Sequence, residues 1–236
     1  MNILIINGSG AIGSAIVSEL QGTDVNLIVT SSSGDIVHGN DTIKWRYDGS
    51  DSVDSLFSAI SDKYESIDSV VNCLGSIFLK PAHLTKEEDF DATLDINLKS
   101  SFLILKKSVP IMRKNGGSIL FFSSAAANIG LVNHEAIAAA KAGVEGLVKS
   151  AAATYSKNNI RVNAIALGLV ESNLSKNIFS NDISLEISRK MHSIGRVGTP
   201  QNVSKFAIPL IADNSSWITG SVINIDGGLS TTKIAS

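Results

Sequence analysis

The 236-residue chain has one cysteine, Cys73, so no internal disulfide can form. It has no CxxC pair and no Cys/His cluster, and its four histidines, His38, His83, His134 and His192, are scattered, so no metal is expected. It has no basic run and a net charge of −2, which argues against nucleic acid or an anionic membrane as partner. No apolar stretch is long enough to span a bilayer. The opening MNILIINGSG lacks the basic flank and long apolar region of a signal peptide, so a cytoplasmic location is expected.

What is present is an ordinary globular composition, 44% apolar and 18% charged, with length enough for one compact α/β domain over residues 1–236. Short apolar runs alternate with longer amphipathic stretches. Strands are expected at Ile3–Ile6, Val25–Thr30, Thr42–Trp45, Ser69–Cys73, Ser118–Phe122, Arg161–Ala166 and Val222–Ile225. Helices are expected at Ala11–Leu20, Ser52–Ser61, Lys86–Lys114, Ala136–Ser156 and Gln201–Ala212. The alternation implies βαβ units, and the nearly unbroken Ile/Val/Leu runs imply a parallel sheet covered on both faces. The polar stretch at about 171–195, which follows a strand's carboxyl end, reads as a substrate lid.

The first strand runs into Gly8, Ser9, Gly10, Ala11, Ile12 and Gly13, and then into a helix. GxGxxG in that context lets the backbone approach a pyrophosphate and presents the helix N–H groups to it. The second strand ends in Thr30, Ser31, Ser32 and Ser33, with no acid to repel a 2′-phosphate and with hydroxyls able to donate to one. NADP(H) is therefore favoured as cofactor, with NAD(H) the alternative; Asp35 lies beyond the strand.

Taken in order, these motifs make the chain similar to the short-chain dehydrogenase/reductase family, from Ile3 to about Gly228. The family's TGxxxGxG aligns on Gly13, with Asn7 and Ala11 where two of its glycines would stand. Asp48, followed by Gly49, matches the acid that touches the adenine amino group. Asn72, Cys73, Leu74 and Gly75 stand for NNAG, and Leu167, Gly168, Val170 and Ser172 for the PGxxxT segment that holds the nicotinamide carboxamide. Asn97 in LDINLKS, Ser124 in FFSSAAA and Lys141 match the active-site asparagine, serine and lysine. Gly195–Pro200, Ile218–Gly220 and Asp226–Gly228 match the family's structural tail. The resemblance implies a doubly wound Rossmann domain with a seven-stranded parallel sheet in the order 3-2-1-4-5-6-7. It also implies hydride transfer to or from a small carbonyl or alcohol substrate.

One position departs from the family. Four residues before Lys141, where the resemblance implies a tyrosine acid, stands Ile137. Isoleucine has no proton to give. Three readings stay open. His134, one turn earlier on the same helix face, could be a relocated acid. Lys141, or a water held by Asn97 and Ser124, could supply the proton. Alternatively the protein binds a dinucleotide without redox turnover, as a sensor or structural element. Of Ser123 and Ser124, strand alternation lets only one face a ligand, and spacing favours Ser124. Trp45 and Trp217 read as packing residues, and Cys73 as a small buried hydrophobe. The alanine-rich helix Ala136–Ser156 suits a close subunit interface, and family resemblance implies a homotetramer or homodimer.

Overall fold

The computed structural model describes residues 1–212 and 216–233. Seven parallel strands form one sheet in the order β3-β2-β1-β4-β5-β6-β7. They are β1 Asn2–Ile6, β2 Asn26–Ser31, β3 Asp41–Lys44, β4 Ser69–Asn72, β5 Gly117–Ser124, β6 Ile160–Leu167 and β7 Val222–Ile225. Each lies within two residues of its expected position.

Successive β1 side chains divide between two cores, as a pleated strand requires. Leu4 and Ile6 pack with α2 (Gly49–Lys63), α4 (Ser100–Met112) and α5 (Glu135–Tyr155), through Phe57, Ile104 and Val148 among others. Ile3 and Ile5 pack on the opposite face with α1 (Ala11–Leu20) and α8 (Pro200–Ile211), through Ile16, Val17 and Val203. Each such fully buried side chain contributes about 1.5–3 kcal/mol. The carboxyl-terminal carbonyls of α8 are satisfied by the sheet: Ser69 Oγ donates to Ile211 O (2.5 Å), Ser118 Oγ to Leu210 O (2.7 Å) and Arg161 Nη2 to Ala212 O (3.0 Å).

The expected helix 86–114 is interrupted. α3 (Glu87–Leu94) passes into a π-helical turn, Asp95–Lys99, before α4 begins. Ser100 and Ser101 each donate a hydroxyl to the carbonyl four residues back, a bond that competes with the regular ladder. The polar 171–195 stretch folds as two short helices, α6 (Lys176–Phe179) and α7 (Asp182–Met191), and α7 has no buried residue.

Trp217 corrects its expected packing role: it is 98% exposed, because it sits on the loop before β7 instead of on a core-facing element. Trp45 does pack, against the α2 side, with its Nε1 donating to Ser52 O (2.7 Å). Among the described residues no helix is long and apolar enough to cross a membrane, and no cluster of three His, Cys, Asp or Glu could hold a metal.

Candidate active site

The direction in which strands are added to the sheet reverses between β1 and β4, and a cleft opens there at the carboxyl ends of the strands, where doubly wound folds bind ligands. The glycine loop follows β1 at that end, and its Ile12 lines the cleft. Asn7 takes a left-handed backbone (φ 59°), a conformation that asparagine tolerates better than most residues. Its N–H donates to Thr30 Oγ1 (2.8 Å) and its Nδ2 to Cys73 O (3.2 Å), joining the ends of β1, β2 and β4. Asn7 thus supplies the turn where the family has glycine. Gly8 and Gly13 supply the close approach: a Cβ on Gly8 would stand 2.3 Å from Val29 Cγ1, and one on Gly13 2.6 Å from Asn7 O. Ala11 opens α1, whose first-turn N–H groups have no intrahelical acceptor. A loop drawn in this far, with free N–H groups beyond it, fits a dinucleotide pyrophosphate.

Two residues expected at the cofactor are hydrogen-bonded within the protein. Thr30 is fully buried, its hydroxyl oxygen accepting from Asn7 N–H; Ser31 is also buried, and its hydroxyl pairs with Ser33 (3.0 Å), leaving Ser32 and Ser33 exposed at the strand end. Asn72 is 2% exposed, donating to Ser101 Oγ (3.2 Å) and accepting from Leu74 N–H (3.1 Å), so it ties β4 to α4. Asp48 is exposed at the N-terminus of α2, beside Gly49.

Further along, Ile12, Cys73, Leu74, Gly75, Asn97, Ser124, Ile137, Lys141, Leu167, Gly168, Val170 and Ser172 all line the cleft. Burial pushes the Cys73 thiol up to about 12, so it stays protonated. Lys141 is 8% exposed; its Nζ donates to Phe122 O (2.9 Å), and no carboxylate among the described residues pairs with it. Desolvation brings its pKa down to about 8. The Asn97 side chain, held inward by the π-turn, is heavily used: Nδ2 donates to Ser76 Oγ and Thr93 O (3.0 Å each), and Oδ1 accepts from Ser76 N–H (3.2 Å).

Ser123 and Ser124 both border the cleft but are bonded differently. Ser123 Oγ, buried, donates to Glu145 Oε1 (2.7 Å), which also accepts from Asn128 Nδ2 (3.1 Å). Ser124 lines the cleft and accepts from Ala126 N–H (3.2 Å). Ile137, 5% exposed, borders both the cleft and a second cavity of about 510 Å³ beyond it. His134 stands on the rim of that cavity at the N-terminus of α5, half-buried, with Nδ1–H donating to Val132 O (2.7 Å) and Nε2 left over. Ser172 closes a reciprocal cap with Ser175 across the turn that leaves the cleft.

Sequence reasoning did not single out two buried polar groups. Glu145 stands four residues after Lys141 on α5, a spacing that placed it on the same helix face. His192 is 3% exposed: its Nδ1–H donates to Ser188 O (2.6 Å) and its Nε2 accepts from Leu169 N–H (3.1 Å), tying α7 to the segment after β6. Nothing in the local pattern marked it.

Residues 8–230 match the family model described as enoyl-(acyl carrier protein) reductase. The chain belongs to the short-chain dehydrogenase/reductase family. This short-chain dehydrogenase/reductase is 37% identical, over 182 residues, to the 3-oxoacyl-[acyl-carrier-protein] reductase FabG of Thermotoga maritima, covering 76% of this chain and 72% of that one. It is 31% identical to the 2,5-dichloro-2,5-cyclohexadiene-1,4-diol dehydrogenase of Sphingobium indicum, covering 96% and 95%. Its fold superposes on ElxO with NADP bound at a TM-score of 0.90 with 26% identity, covering 98% of this chain and 99% of that one. Ligand-free aldohexose dehydrogenase of Thermoplasma acidophilum superposes at 0.89, also at 26% identity, covering 100% and 96%. Its strand order and cleft are those of a dinucleotide-dependent oxidoreductase family acting on C=O and CH–OH groups.

Proposed function

We propose that the protein is an NADP(H)-dependent oxidoreductase that interconverts a carbonyl and an alcohol on a small molecule without a tyrosine acid. The observation that carries this reading is that Ser124, Ile137 and Lys141 line one cleft, with Ser124 and Ile137 also bordering the second cavity. The loop from Asn7 to Gly13, including Ser9 and Gly10, would hold the pyrophosphate. Ser32, with Ser31 behind it, would face the 2′-phosphate, and Asp48 and Gly49 the adenine. Cys73, Leu74 and Gly75 would flank the ribose, and Leu167, Gly168, Val170 and Ser172 the carboxamide. The bound dinucleotide supplies or accepts the hydride.

The remaining chemistry belongs to this chain. Ser124 Oγ has a hydrogen to donate to a substrate oxygen as negative charge develops on it. Lys141, with a pKa near 8, is protonated at neutral pH yet gives up its proton more readily than an ordinary lysine. It donates that proton, directly or through a water on the free lone pair of Asn97 Oδ1, and regains it from solvent. His134, in its doubly protonated form, would be a second proton source through Nε2–H, at the rim. Loss of a general acid costs roughly a hundredfold to ten-thousandfold, which slows turnover without abolishing it. The apolar side chain at Ile137 favours a second reading, binding without turnover. Exposed Phe102 on α4 and the small residues of α5 support homo-oligomers, dimeric or tetrameric.

Titration of the protein with NADPH and, in parallel, NADH, followed by reduced-nicotinamide fluorescence, tests the reading. Tight NADPH binding with weaker NADH binding is expected. Binding of neither would end both readings, and equal binding would remove the 2′-phosphate assignment.

A further inference from the structure

The second cavity bears on what the substrate is. It lies between α7 on one side and residues 131–134 on the other, and it opens on Ser124 and Ile137. Among the described residues lining it there is no Asp, Glu, Lys or Arg. Its walls instead present apolar side chains left open to solvent: Val132 is 85% exposed, Ile187 56%, and Ile77 and Met191 42% each. Scattered single exposures would mean nothing, but four on facing walls of one cavity form a surface that gains by being covered.

Part of the polar lining is committed to the protein, while Asn133, Ser184 and His134 Nε2 stay available near the opening. Both ring nitrogens of His192 are hydrogen-bonded, the Ser188 hydroxyl donates to Ser184 O (2.8 Å), and His134 Nδ1 is held by Val132 O. Ser124 keeps a donor for one substrate oxygen. A carboxylate or phosphate seated here would be desolvated without a counter-charge. A polyhydroxylated molecule would meet more apolar wall than polar partners, Asn133, Ser184 and His134 Nε2 being the few left beside Ser124. The volume, about 510 Å³, falls within the usual range for a small-molecule site.

We propose that the substrate is an uncharged, mainly hydrocarbon molecule carrying its carbonyl or hydroxyl at one end, with the hydrocarbon body between α7 and residues 131–134. This rests on the oxidoreductase reading above. The same chemistry is shared by a free cyclic ketone and by the acyl chain of a thioester.

The experiment has three arms on the full-length protein. NADPH affinity is measured first; its absence would defeat the oxidoreductase reading itself. With NADPH binding established, calorimetric titration of the NADP-saturated protein compares four probes. They are 2-decalone, the 3-oxooctanoyl thioester of N-acetylcysteamine, 4-oxocyclohexanecarboxylate and glucose. Decalone or the thioester should bind at least tenfold more tightly than the carboxylate and the sugar, and the better of the two identifies the source. Equal or tighter binding of the carboxylate or glucose, or no binding of decalone and thioester, overturns the substrate class while leaving the oxidoreductase reading intact. In the third arm Ile187→Asp, a substitution at an exposed position, should weaken the better apolar probe at least tenfold with NADPH affinity unchanged. Unchanged probe affinity overturns the proposal.

Discussion

Lys141 puts an ammonium group into the interior of the free protein with a backbone carbonyl as its hydrogen-bond acceptor and no carboxylate among the described residues paired with it. Desolvation lowers its pKa from 10.5 to about 8, which at about 1.4 kcal/mol per pH unit amounts to about 3 kcal/mol of stability withheld at neutral pH. Lys141→Met keeps the length of the side chain and removes the charge. It also removes the bond to Phe122 O, worth about 1.5–3 kcal/mol when one partner is charged. The net change at pH 7 is therefore small, and the pH dependence is the sharper signal. Below about pH 8 the lysine is protonated in both folded and unfolded chains, and the difference between wild type and variant is flat. Between about 8 and 10.5 the unfolded chain still holds the proton that the folded chain has lost. Wild-type stability must then rise relative to the variant, by about 1.4 kcal/mol per unit and about 3 kcal/mol in all. Urea unfolding of both proteins without dinucleotide, from pH 7 to about 10, measures this, and the titrations that they share, Cys73 included, cancel in the difference. A difference that stays flat across that window would show that Lys141 is not desolvated in the free protein. Its role as proton source would lose its physical basis.

Other expected outcomes concern the site directly. Ile137→Tyr, which restores an acid beside Ser124 and Lys141, should raise turnover of an accepted ketone by about 10²–10⁴, read as steady-state NADPH consumption; no gain in a variant that still binds NADPH would refute the account of what position 137 lacks. His134→Ala should lower turnover at least tenfold if His134 Nε2 is the acid, and an unchanged rate assigns the proton to Lys141 or to water. Gly13→Ala drives a Cβ to 2.6 Å from Asn7 O. The overpacking, about 1–3 kcal/mol, should weaken NADPH about tenfold or more by fluorescence titration. Unaltered affinity would mean that the loop does not hold the pyrophosphate.

The sheet was legible because its signal is local. β1, β2, β5 and β6 are short runs of Ile, Val, Leu and Phe whose two faces are both covered, and glycine or polar residues mark their ends. The strand order came from resemblance to a family, since pairing partners are distant in sequence. The π-turn was hidden because Asp95–Lys99 has the same amphipathic spacing as the helices around it. Trp217 misled because hydrophobicity does not say which way a loop points.

Within the site, residue types and their strand-to-helix context marked the glycine loop, and resemblance to the family marked Ser124, Lys141 and the tyrosine replaced by isoleucine at position 137. These follow from chemistry that needs particular atoms at fixed intervals along the chain. Which polar groups remain free to act depended on the tertiary structure. Packing gave Thr30 and Asn72 to bracing and closed both nitrogens of His192. It left Lys141 with no paired carboxylate among the described residues, and brought Val132 and Ile187, 55 positions apart, into the lining of one cavity. Hydrogen-bond partners and burial are properties of residues that meet only when the chain folds, so no window of sequence contains them.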